Sequence, residues 1–195
     1  MDLRYSVGAS PAGTAPWLTA TFEDIGPNSV RLTMSADNLT GSEFVSAWLF
    51  NLNPSLAGGS LAFTPFGASA AGSSASYSPD GYKAGSEAGF DIKFTFPTAK
   101  AGRFAAGETV IYNIVYSGTG EFDVLSFNFG SSQHTYQSAA HVQGIGSSDG
   151  SVSAWIANNT TIIPEPATAL LFSLGGMGAW LSRRNRLKAR EESVA

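Results

Sequence analysis

Apolar and polar residues alternate with period two along several stretches of the chain, the pattern of strands with one face buried and one in water. The clearest stretch is Val30-Arg31-Leu32-Thr33-Met34-Ser35-Ala36-Asp37. Phe90-Asp91-Ile92-Lys93-Phe94-Thr95-Phe96 is nearly as regular and puts three phenylalanines and one isoleucine on one face, counting residue 96. Residues 44–51, 110–116 and 124–129 are apolar on both faces, which predicts central strands buried on two sides. Weaker alternation predicts strands over 17–23, 141–145 and 152–156.

Turn chemistry separates these runs. Gly26-Pro27-Asn28-Ser29, Asp37-Asn38, Asn53-Pro54, Gly118-Thr119-Gly120 and Ser148-Asp149-Gly150 all fall between strand candidates. No segment before residue 164 sustains a helical period. About seven or eight short antiparallel strands with such turns predict an all-β antiparallel sandwich over residues 1–156, with a jelly roll or barrel as the alternative. Residues 54–86 are the exception, rich in Gly, Ala and Ser and weak in strand signal. They read as a long loop holding one short strand near 61–66, with Phe63, Phe66, Tyr77 and Tyr82 arguing against full disorder.

Composition narrows the class of function. Charged residues are only 13% of the chain while hydrophobic ones are 43%, so charge-driven disorder is not expected. The body, residues 1–163, carries six Lys/Arg against twelve Asp/Glu, and this mild acidity offers no basic face to nucleic acid. There is no cysteine, which excludes disulfides, cysteine zinc sites and thiol nucleophiles.

Candidate chemistry in the body is sparse, and no catalytic, cofactor or metal site is expected. His134 and His141 are the only histidines, without a short metal-ligand spacing. Asp80 and Asp149 read as turn acids, because no Asp-x-Asp calcium loop surrounds them. Glu23-Asp24 is an acidic pair beside a turn, with nothing to place its carboxylates across a cleft. No Gly-x-Ser-x-Gly elbow and no phosphate loop appears. The sequons at Asn38, Asn158 and Asn159 read as chance matches. Trp17, Trp48 and Trp155 read as core or edge packing, and Trp180 suits a membrane interface.

The C-terminal region has a different character. Pro164-Glu165-Pro166 is followed by an uncharged apolar segment over 167–181 and by Arg183, Arg184 and Arg186. A helix over 167–181 has proline at its start, an acid at its positive end and arginines at its negative end. Fifteen residues rise about 22 Å, short of the ~30 Å bilayer core, so the segment suits a temporary membrane anchor. Snorkelling arginines and local thinning narrow the gap, and the basic cluster predicts a cytoplasmic C-terminus and an exported body. Residues 157–163 read as a tether, and 187–195 as a basic and polar extension.

This order of motif, short apolar helix and basic cluster resembles the PEP-CTERM sorting signal of Gram-negative bacteria, over residues 164–186. The matching residues are Pro164, Glu165 and Pro166 as the sorting motif and Arg183, Arg184 and Arg186 as the basic stop. The extension after Arg186 is longer than usual for that signal. The resemblance implies an exported, non-catalytic surface or extracellular-matrix protein. Its partners would be an exosortase-like processing enzyme, transiently the inner membrane, and exopolysaccharide at the destination. Two alternatives stay open: a module that binds polysaccharide or protein, with residues 54–86 in the site, and a plain single-pass anchored protein. Export also calls for an N-terminal signal, and Met1-Asp2-Leu3-Arg4-Tyr5-Ser6-Val7 has neither its basic nor its apolar region. The expectation is a start placed too far downstream or a signal already removed.

Overall fold

The computed structural model describes residues 1–67, 72–130, 136–146 and 152–158. The segment 167–181, Arg183, Arg184 and Arg186, the extension after them, His134, Asp149 and Trp180 lie outside the described residues.

The described residues form two antiparallel sheets. The first has the order β1 (Asp2–Leu3), β3 (Leu18–Gly26), β4 (Ser29–Ser35), β10 (Thr109–Ser117) and β6 (Ser60–Pro65). The second has the order β2 (Tyr5–Val7), β12 (Val152–Ala157), β11 (Ser138–Ile145), β5 (Phe44–Phe50), β8 (Glu87–Thr95) and β7 (Ser74–Ala84). A two-residue strand, β9 (Phe104–Ala105), also pairs with β5. The fold is therefore an all-β antiparallel sandwich, as the alternating pattern predicts.

The alternation explains the core. Val30, Leu32 and Met34 of β4 point inward while Arg31 and Thr33 stay partly exposed. They meet Tyr112 and Ile114 of β10 in the same sheet, and Trp48, Phe50, Ile92, Phe94, Val142 and Ile156 from the facing sheet. The rings pack at angles suited to their quadrupoles: Phe94 stands edge-on to Phe50 at 5.9 Å and to Phe63 at 5.6 Å. Trp48 is fully buried, stacks on Phe50 at 5.8 Å and donates its indole N–H to Ser138 Oγ at 2.8 Å.

Three sequence expectations are corrected. Residues 124–127 form a short 3-10 helix, Val124–Phe127, and not a central strand. Asp123 caps it, accepting the Ser126 N–H while Ser126 Oγ accepts the Asp123 N–H, so local side-chain bonding overrides the apolar run. β10 is buried on one face only: Val110, Tyr112, Ile114 and Tyr116 are inside, and Val115 is 41% exposed. The stretch 54–86 is not a loop. It holds a 3-10 turn at Pro54–Leu56, then β6, and β7 as the edge of the second sheet.

Two irregularities shape the second sheet. The ladder between β11 and β12 shifts between Gln143 and Ile145, where Gly144 takes φ +78 and sits against the Ser42 carbonyl, leaving no room for a Cβ. The ladder between β7 and β8 is interrupted between Tyr77 and Tyr82, so residues 78–81 arch away from the partner strand.

Candidate functional site

The outer face of the seven-stranded sheet carries most of the body's unspent chemistry. Register aligns Trp155 of β12, His141 of β11 and Ala47 of β5 in one row across it. The imidazole lies against the Trp155 indole at 5.0 Å between ring centres. Its Nδ1 is 2.8 Å from Ser46 Oγ, and Gln143 Nε2 donates to the same hydroxyl at 3.2 Å. Burial pushes the His141 imidazole below the usual histidine range, so it favours the neutral form. Ser46, His141 and Gln143 thus form a polar patch. A serine–histidine hydrolase needs a carboxylate orienting the imidazole, and among the described residues no carboxylate bonds to His141.

Beside this patch lies a second, smaller apolar cluster, separate from the core. Leu49, Ala84, Phe90, Ala139 and Ala157 are its buried members, with Tyr82, Tyr136 and Trp155 packed around them. The turn joining β7 to β8 comes down on it: Gly85 takes φ +64, and a Cβ there would touch the Trp155 ring. A cleft of about 80 Å³ remains between that turn, Tyr136 and Trp155. Tyr5, 49% exposed, stacks loosely on Tyr136 at 6.3 Å and extends the aromatic surface toward solvent.

Several of the acids are spent on backbone. Glu43, 2% exposed, accepts the Ala12 and Thr40 N–H groups, one on each oxygen at 2.8 Å. Asp24 accepts the Val124 N–H at 2.9 Å, so this member of the Glu23-Asp24 pair serves the fold. Its two members are successive strand residues that point to opposite faces. Asp80 sits on the arch of β7 at φ +51, and its N–H donates to Asp91 Oδ1 at 2.7 Å. The Leu52 N–H donates to Asp91 Oδ2, also at 2.7 Å. A cleft of about 130 Å³ opens here, lined by Asn51, Asn53, Tyr77, Asp80 and Asp91. Sequence reasoning missed this gathering, because its members come from three separate stretches and only the fold brings them together.

Of the sequence candidates, the structure brings His141 together with Trp155 and Ser46. It places Trp17, 7% exposed, and Trp48 in the core, and leaves Trp155 half-buried on the outer face. Asn158 is buried and its amide clasps the start of β11, accepting from the Gln137 and Ser138 N–H groups. No helix among the described residues is long and apolar enough to cross a membrane, and none of them form a group of three or more metal-ligating side chains of the His, Cys, Asp and Glu types.

Comparison with known proteins locates the clearest signal outside the β body. No curated protein sequence matches the chain. One solved structure matches at 16% identity and a TM-score of 0.40, over 66% of this chain and 93% of that one. It is a biomass-sensing module of an Rsgi-like protein of Clostridium thermocellum, described as resembling a family 3 carbohydrate-binding module of the cellulosome. A family model, the PEP-CTERM protein-sorting motif, matches residues 163–186. That span contains Pro164, Glu165 and Pro166 as well as Arg183, Arg184 and Arg186. The motif implies export, sorting to the surface, and exosortase processing as the general kind of partnership. The chain is thus an all-β sandwich that carries a PEP-CTERM protein-sorting motif.

Proposed function

We propose that the chain is a non-catalytic surface or extracellular-matrix protein of a Gram-negative bacterium, whose β body is the displayed part and whose tail is the address. The match at residues 163–186 carries this reading. Pro164, Glu165 and Pro166 form the element that an exosortase-type enzyme recognises, at the outer end of the apolar segment 167–181. That segment holds the chain in the inner membrane only until processing, being short for a permanent span. Arg183, Arg184 and Arg186 stop transfer and keep the unprocessed C-terminus in the cytoplasm. Display fits the body's acids, several of which bond backbone N–H groups and so serve the fold.

A second reading is favoured by the aromatic outer face, where Tyr5, Tyr136, Tyr82 and Trp155 gather around a shallow cleft. There the displayed body would also bind exopolysaccharide or another surface protein, rings stacking on sugar or side-chain faces. Residues 54–86 would contribute through β7 and its turn rather than as a loop.

Fractionation of the native bacterium tests the proposal. The expected result is the body outside the inner membrane, in the surface or matrix fraction. Recovery of the whole chain in the inner membrane would support a plain anchor, and recovery in the cytosol would remove the export argument.

A further inference from the structure

Strict alternation along β5 would send Ser46 into the core with Trp48, two residues on. A bulge prevents this. In the ladder between β5 and β11, His141 pairs with Ala47 and Val142 with Val45, so Ser46 is the extra residue. Its hydroxyl is turned instead to the outer face, where His141 and Gln143 flank the buried Val142. Bulges often re-aim a side chain, and this one aims a hydroxyl at a base and an amide.

Three atoms converge there. Ser46 Oγ is 2.8 Å from His141 Nδ1, and Gln143 Nε2 is 3.2 Å from the same hydroxyl. Nε2 of Gln143 is also 3.5 Å from the same Nδ1, so one ring nitrogen is in reach of both groups. The hydroxyl's other acceptor, the His141 carbonyl, is farther than Nδ1, at 3.3 Å. With the ring proton on its Nε2, the imidazole accepts the Ser46 hydrogen at Nδ1. Burial holds His141 below the usual histidine range, so at neutral pH the ring is an unprotonated base. Gln143 Cδ is one amide bond, about 1.3 Å, from Nε2 and hence within about 4.5 Å of Oγ. A small side-chain rotation brings it to the ~3–3.5 Å of a near-attack geometry. Ser46 is 7% exposed, which keeps most bulk water from the hydroxyl.

We propose that Ser46 and Gln143 join in an intramolecular ester, formed by the folded chain itself. Ser46 Oγ attacks Gln143 Cδ while His141 Nδ1 takes the hydroxyl proton. The same Nδ1 passes that proton to Gln143 Nε2, the Cδ–Nε2 bond breaks, and ammonia leaves. An O–H and a C–N bond are exchanged for a C–O and an N–H bond, with no further reactant. Fixed contact between the groups supplies a high effective concentration, and loss of ammonia to solution draws the exchange forward. A reaction that runs once per chain can be slow, so it does without the carboxylate that a hydrolase needs. The ester would tie β5 to β11 in the middle of the second sheet, between residues 97 positions apart. In a chain without cysteine it would take the part of a disulfide by constraining the unfolded state. The inference concerns the body alone and stands whether or not the tail is processed.

Mass spectrometry of full-length protein held for days at neutral pH tests it. The expected result is a chain lighter than its sequence by one ammonia. Proteolysis then yields a peptide containing Ser46 joined to one containing Gln143, and hydroxylamine, which cleaves esters and spares amides, separates them. Ser46→Ala and Gln143→Ala, with folding checked by circular dichroism, are expected to show their sequence masses. His141→Ala keeps both reacting groups and is expected to form the link about a hundredfold more slowly after refolding, the loss of a general base. Wild-type protein at its sequence mass, with the two peptides separate, overturns the proposal. So does a loss of ammonia that persists in Ser46→Ala, and so does a link that forms equally fast in His141→Ala.

Discussion

Replacing Trp48 with alanine lowers the stability of the β body by about 3–5 kcal/mol, the cost of truncating a fully buried large aromatic. Trp48 is wholly inaccessible, stacks on Phe50 and Phe104, and sits mid-strand in β5, which pairs with β11, β8 and β9. Phe50, one of its stacking partners, is not free to collapse into the space, since it is itself held edge-on by Phe22 and Phe94. The indole N–H also satisfies Ser138 Oγ, which in turn donates to the Leu49 carbonyl at 2.9 Å. Against a typical domain stability of about 5–15 kcal/mol, this loss removes between about a fifth and all of the body's stability. Trp48→Phe keeps most of the packing but gives up the hydrogen bond, and is expected to cost about 1–3 kcal/mol. Urea denaturation of the three proteins reads both numbers. A loss under about 1 kcal/mol for Trp48→Ala would mean that the core lies elsewhere.

Changing Pro164, Glu165 and Pro166 together to alanine has the largest expected effect on the protein in its cell. The body contributes nothing to the address in this account, so removing the motif is expected to abolish processing rather than weaken it. The variant still has its apolar segment and its arginines. It is therefore expected to accumulate in the inner membrane as full-length chain, with a normally folded body. Fractionation followed by immunoblotting of wild type and variant reads the shift. Equal distribution of the two would show that the motif plays no part in sorting.

Legibility from sequence followed the physics of each segment. β4 and the Phe90 to Phe94 part of β8 were plain, because one face of each meets water and the other the core. β10 misled, because Ile111 and Val115 on its outer side are apolar although that face is only partly covered. β7 was missed: an edge strand of small and polar residues, interrupted by Pro79-Asp80-Gly81, has little apolar alternation to show. The 3-10 helix at Val124–Phe127 imitated a strand in composition, and the clue was the Asp123 cap three residues before Ser126. The tail was the most readable functional feature because its motif, apolar segment and basic cluster are contiguous. The cleft at Asn51, Asp80 and Asp91 left no trace in the sequence, since Asn51 resembles an ordinary strand-end residue, Asp80 a turn acid and Asp91 the polar position of an alternating strand.

The intact mass of the wild-type protein recovered from the surface or matrix fraction tests the central claim most directly. The account predicts a chain that ends near Pro164, without the segment 167–181 and the arginines beyond it. A surface-located chain that still carries residues 167–195 would contradict processing at the motif and leave the tail as a plain anchor.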